Sequence, residues 1–200
     1  IAAHKRIIFN GNGYSDEWVV EAERRGLPNI KCMVDAVPAL VKPEAVEIFE
    51  KHGVYTKAEM ESRAEVMYET YSKTINIEAL TMIDMAKKQI VPATIKYQTS
   101  LAESVNAIKA ASSAVDTSVQ EALMADISTN LKDMYAALAH LEEVAGKAEA
   151  MEEGAEQGHY YHDVVFTAMD ELRKPADKLE MLVAKSAWPF PSYGDLIFEV

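Results

Sequence analysis

Along the middle of the chain, apolar or small residues recur at 60, 64, 67, 71, 75, 79, 82, 86, 90, 93, 97, 101, 105 and 108. Every step is three or four, so one face of a long helix stays apolar throughout. Thr56-Lys57-Ala58-Glu59 opens it as a capping box, in which the hydroxyl and the carboxylate satisfy each other's backbone donors. Pro92 falls inside the run, removes a backbone donor and crowds the preceding turn, which predicts a kink near residues 88–91. Ala86, Ile90, Ala93 and Tyr97 stay in phase across the proline, which favours a kinked helix over a loop. A second box, Thr117-Ser118-Val119-Gln120, opens a helix with the stripe Val119, Leu123, Ile127, Leu131, Met134, Leu138, Leu141, Ala145 and Ala148. Gly154 and Gly158 mark the turn after it. The third helix carries Tyr161, Val165, Ala168 and Leu172, passes Pro175, and resumes at Leu179 and Val183.

Three long amphipathic segments with short connections predict an antiparallel bundle. The first segment is far longer than the others, so either it bends back at Pro92 to give four bundle helices or one end projects. The unbroken phase favours a projecting, kinked helix. Before it lie short helices. Ser15 is placed to cap residues 16–25, with Asp16 and Glu17 in the first turn and Gly26 as a stop. Leu27-Pro28-Asn29 is a break, Asp35 is placed to cap a turn through Leu40, and Pro43 opens a helix that Gly53 ends. The last thirteen residues, "WPFPSYGDLIFEV", carry two prolines and are predicted to run extended, docked on the bundle by their aromatic side chains. The expected fold is all-α, an antiparallel bundle of long kinked helices preceded by short helices and turns, with an extended C-terminal tail. Its parts are a seam with short helices over 1–55, the bundle over 56–187 and the tail over 188–200.

Composition narrows the function. A hydrophobic fraction of 49% fits a folded chain and is too apolar for disorder. The net charge of −12 argues against nucleic acid, whose phosphates demand clustered Lys and Arg. His4-Lys5-Arg6 is too short a basic patch to reverse this. A single cysteine, Cys32, makes no internal disulfide and points to a reducing, cytoplasmic setting. No apolar run approaches the roughly 20 residues that span a bilayer, so no membrane partner is expected.

The strongest metal candidate is Glu156-Gln157-Gly158-His159-Tyr160-Tyr161-His162-Asp163, because Glu-x-x-His places two ligands on one helical face. That chemistry needs a second such pair, and the five histidines supply none. Gly158 also weakens the helix that would present it. The stretch therefore reads as a solvated turn in which His159 and Asp163 pair. Asn10-Gly11-Asn12-Gly13 has no Lys-Ser/Thr after it and reads as a turn with positive φ, not a phosphate cradle. Cys32 reads as a small core residue. Met60, Met67, Met82 and Met134 lie on the apolar stripes and read as core, while Glu149, Glu152, Glu153 and Glu156 read as a solvated face. No catalytic, cofactor-binding or metal residue is assigned.

Four strings carry a resemblance. "HKRIIFNGNGYSDEWVVEAERRGLPN" and "YSKTINIEALTMIDMAKKQIVPA" resemble the region that follows the catalytic domain of type III glutamine synthetases, as do "DVVFTAMDELRKPADKLEMLVAK" and the terminal "WPFPSYGDLIFEV". Together they cover essentially the whole chain in order. The resemblance implies a parent enzyme that joins glutamate and ammonia through a γ-glutamyl phosphate, using ATP and Mg²⁺ or Mn²⁺. The family's metal-binding Glu and His residues and phosphate-binding arginines have no counterpart here, and only three arginines precede residue 63. The expectation is a C-terminal helical domain that is inactive alone. Residues 4–18 would be the seam to the catalytic domain, and Ile1 a boundary inside a longer protein. Its partners would be that catalytic domain and the subunits of a homo-oligomer. Two alternatives stand beside it: a stand-alone helical module that recognises another protein, and a metal-dependent bundle enzyme.

Overall fold

The capping box at Thr56 forms as the sequence predicts. The Thr56 N–H donates to Glu59 Oε2 at 2.7 Å, and the Glu59 N–H donates to Thr56 Oγ1 at 3.3 Å. In this computed structural model, which describes residues 2–198, no strand occurs among the described residues. From the box the chain runs without interruption through α4 (Lys57–Met85), a π-helical turn (Ala86–Ile90) and α5 (Val91–Ala111). The irregularity expected near residues 88–91 takes the form of this π turn, in which the Val91 N–H reaches back five residues to the Ala86 carbonyl. Pro92 has no N–H to give, and a widened turn relieves its crowding while the helix continues. The chain therefore does not fold back at the proline.

Its contacts group into two units, Ile1–Met67 and Tyr68–Val200. In the first unit, α1 (Asp16–Arg24), α2 (Met33–Leu40) and α3 (Pro43–Lys51) follow a short 3-10 turn over Ala2–Ile7. Gly26 and Gly53 follow α1 and α3 with φ of 71° and 64°, the left-handed conformation that stops a helix. α2 starts earlier than expected: Cys32 occupies its N-cap, and Asp35 lies in the first turn accepting the Cys32 S–H at 3.0 Å. The unit buries Ala22, Val34, Val37, Val46, Met60 and Ala64.

In the second unit, α6 (Ser118–Glu149) runs antiparallel to α5, as pairings of Lys109 with Glu121, Gln98 with the Met124 carbonyl and Lys87 with Glu142 establish. After Gly154, α7 (Ala155–Tyr160), a second π turn (Tyr161–Val165) and α8 (Phe166–Leu182) form one continuous helix that returns along α6. Ile75, Ala79, Ile127, Met134, Leu138 and Leu172 are among the buried residues of their common core. Pro175 stays inside α8 and is itself buried.

Several expectations are corrected. Met67 is 39% exposed and Tyr68 takes its place on the buried line at 8%, because the ring covers more apolar area and meets the His159 ring at 6.4 Å. Val119 is exposed. The box at Thr117 is not made: Asp116 Oδ1 accepts the Ser118 N–H at 2.9 Å, and the Thr117 hydroxyl donates to Glu121 instead. An ionised carboxylate is the stronger acceptor for an exposed helix-start donor. Only Gly154, with φ of 140°, serves the turn; Gly158 is buried inside α7. The tail is extended only at its start. Ser192 and Asp195 form a further reciprocal box that opens α9 (Tyr193–Phe198), since no proline follows Pro191 to prevent it. Trp188 and Phe190 pack on the core, whereas Leu196, Ile197 and Phe198 are 64–81% exposed. Glu199 and Val200, part of the tail expected to dock, lie outside the described residues.

Candidate functional site

The metal-like stretch is helical, not a turn. Glu156 lies exposed at the start of α7, while His159 and His162 project one helical turn apart towards α4. There His159 meets the Tyr68 ring and His162 meets the Tyr71 ring, each with 6.4 Å between ring centroids. Asp163 is bonded to His162 Nδ1 at 2.7 Å. Among the described residues, no three His, Cys, Asp or Glu side chains converge. The two histidines thus line a helix seam with aromatic partners. Glu149, Glu152, Glu153 and Glu156 all point to solvent. Beside them Tyr161 is buried, which, with the Glu149 charge, pushes its phenol above the ordinary value.

The glycine-asparagine stretch is a turn, built differently from expectation. Asn12 Oδ1 accepts the Tyr14 N–H at 3.0 Å, and the Asn12 carbonyl accepts from the Ser15 N–H and hydroxyl. Neither Gly11 nor Gly13 has positive φ. Gly11 leaves room for a neighbouring ring: a Cβ there would fall 2.6 Å from Phe9 Cζ, which would have to shift. Phe9 lies against Trp18 at 4.4 Å between ring centroids, with the Arg25 guanidinium within 6 Å of both rings. Arg25 also donates to the Ile8 carbonyl and to Glu21. The opening segment is thereby tied to α1 by a cation–π and ion-pair knot. Cys32 is half-buried; its hydrogen bond to Asp35, then burial, pushes the thiol up, away from nucleophilic use at neutral pH.

Among the concavities of the described residues, two have mainly apolar walls. In the first unit an apolar groove of about 340 Å³ runs between α2 and α3, lined by Met33, Val37, Leu40, Ala45, Phe49 and Met67. In the second unit a pocket of about 310 Å³ lies between α8 and the tail, with Ile90, Trp188, Phe190 and Leu196 as apolar walls and Asp177 and Glu180 on its acidic side. Sequence reading missed both: the groove joins two neighbouring short helices whose packing no local pattern specifies, and the pocket is assembled from residues far apart in the chain. A cue was present only in the aromatic density of the tail. No described helix is long and apolar enough to cross a membrane.

The family model described as the glutamine synthetase C-terminal domain matches residues 1–109. The chain is 38% identical over its whole length to a glutamine synthetase of Butyrivibrio fibrisolvens, of which it covers 29%. It is 28% identical, over 98% of its length, to the type-3 glutamine synthetase of Dictyostelium discoideum, covering 27% of that protein. With a glutamine synthetase of Bacteroides fragilis it shares 30% identity, over 99% of its length and 28% of the relative's. The chain thus spans less than a third of the length of these curated relatives. It belongs to the glutamine synthetase C-terminal domain family and corresponds to the C-terminal region of the type III enzymes.

Proposed function

We propose that this chain is a non-catalytic domain of a glutamate–ammonia ligase, serving to pack on the catalytic domain and to help assemble the homo-oligomer. The observation that carries the reading is the mismatch of coverage: the relatives are aligned with nearly all of this chain, while the chain accounts for less than a third of them. The ATP and Mg²⁺ or Mn²⁺ of such a ligase would be held in the remainder of the parent enzyme, which makes up more than two thirds of the relatives' length. The parent is proposed to work in the cytoplasm, without nucleic acid or membrane as a partner.

The test is a γ-glutamyl transfer assay on the purified 200-residue chain with ATP and Mg²⁺ or Mn²⁺. The expected result is turnover at the level of the buffer control. Turnover clearly above that control, abolished by a point substitution in this chain, would overturn the reading.

A further inference from the structure

The pocket between α8 and the tail has a composition that a mere packing defect would not require. Its walls are Ile90 from the first π turn, Trp188 and Phe190 in edge contact (6.2 Å between centroids, 77° between planes), and Leu196 from α9. Its polar lining is anionic, Asp177 and Glu180, and among the described residues no Lys or Arg lines it. Of the nearby cations, Lys185 is paired with Asp195, while Arg173 donates to the lining Asp177 itself at 3.3 Å across exposed side chains. Glu180 makes no hydrogen bond or ion pair among the described residues and is exposed. The tail is fixed in place by the Ser192–Asp195 box and the Lys185–Asp195 pair, so the concavity is preformed.

An anion would meet two carboxylates here, and a purely apolar group would leave Glu180 unanswered. A cationic head fits both features, attracted by the carboxylates and by the faces of the aromatic rings, while a short apolar stem covers the Ile90, Trp188 and Leu196 side chains. We infer that this pocket binds a guanidinium or ammonium group on an apolar stem, the chemistry of an arginine or lysine side chain or of a free alkylguanidine. The inference goes beyond the assembly reading and does not depend on it.

The 200-residue chain holds two tryptophans, so Trp18→Phe leaves Trp188 as the only indole reporter. Its emission is titrated with n-butylguanidinium and with n-butylurea, a neutral group of nearly the same shape. The guanidinium should shift the emission saturably, with the urea binding at least about tenfold more weakly. Glu180→Gln, at an exposed position that leaves the fold intact by circular dichroism, should weaken the guanidinium about threefold and leave the urea unchanged. Combining it with Asp177→Asn should weaken the guanidinium further. A capped Leu-Arg-Leu peptide separates the sources: affinity about tenfold above butylguanidinium assigns the pocket to a protein side chain, and equal affinity to a small free cation. Equal binding of guanidinium and urea, no saturable shift with either, or indifference to Glu180→Gln would each overturn the inference.

Discussion

Glu21 accepts bonds from Arg24 at 2.6 Å and from Arg25 at 2.5 Å, and the same Arg25 sits against the Phe9 and Trp18 rings. The Arg24 bond first, then that from Arg25, lowers the carboxyl from its ordinary 4.5 to about 2. A depressed folded-state value means the contribution is complete above the unfolded value and is lost as pH falls through the folded one. The stabilisation from this knot should therefore be present above about pH 4.5 and disappear towards pH 2. Glu21→Gln should flatten the acid limb of stability measured by denaturant unfolding between those limits. A Glu21 carboxyl carbon that titrates near 4.5 by NMR would show that the knot is not formed in solution. Asp195 follows the same logic, held at about 2 by Lys185 and then by Ser192, so the start of α9 is also acid-sensitive.

Among the elements, the long helix is where local sequence dictates most. Steps of three and four placed Met60, Ala64, Ile75, Ala79, Ala86 and Ile90 correctly on its buried face, and the Thr56 box formed as expected. Thr56→Ala should cost about 1 kcal/mol by removing one side of that box, measured as a shift of the denaturation midpoint. An unchanged midpoint would mean that packing alone fixes the start of α4. What escaped sequence reading was competition between near neighbours. Met67 and Tyr68 both fit a helical step, and only the ring facing them decides. Asp116 and Thr117 both offer a helix-start acceptor, and charge decides. Pro92 signals an irregularity, but whether it becomes a bend or a π turn depends on which carbonyl the N–H of the preceding Val91 reaches. In the tail, two prolines hid the Ser192–Asp195 box immediately behind them. The candidate pocket was illegible for a different reason: Ile90, Asp177, Trp188 and Leu196 share no local pattern and meet only through tertiary packing.

At the scale of the whole molecule, the tail divides into a half that stabilises the bundle and a half turned outwards. Trp188 and Phe190 are partly buried on the core, while Leu196, Ile197 and Phe198 remain exposed. Deleting residues 188–200 should lower the thermal midpoint by about 4 °C, as a loss of one or two kcal/mol does in a domain of this size. An unchanged midpoint would show that the two rings contribute nothing to the isolated chain. The exposed half, together with the apolar groove of the first unit, supplies surface suited to a protein neighbour, in keeping with the proposed assembly role.

That role is tested most directly by sedimentation velocity of a full-length type III ligase carrying this domain, compared with the same ligase lacking it. The account predicts a large homo-oligomer for the intact protein and smaller species after removal of the domain. Identical sedimentation of the two, at concentrations where the intact protein is fully assembled, would contradict it.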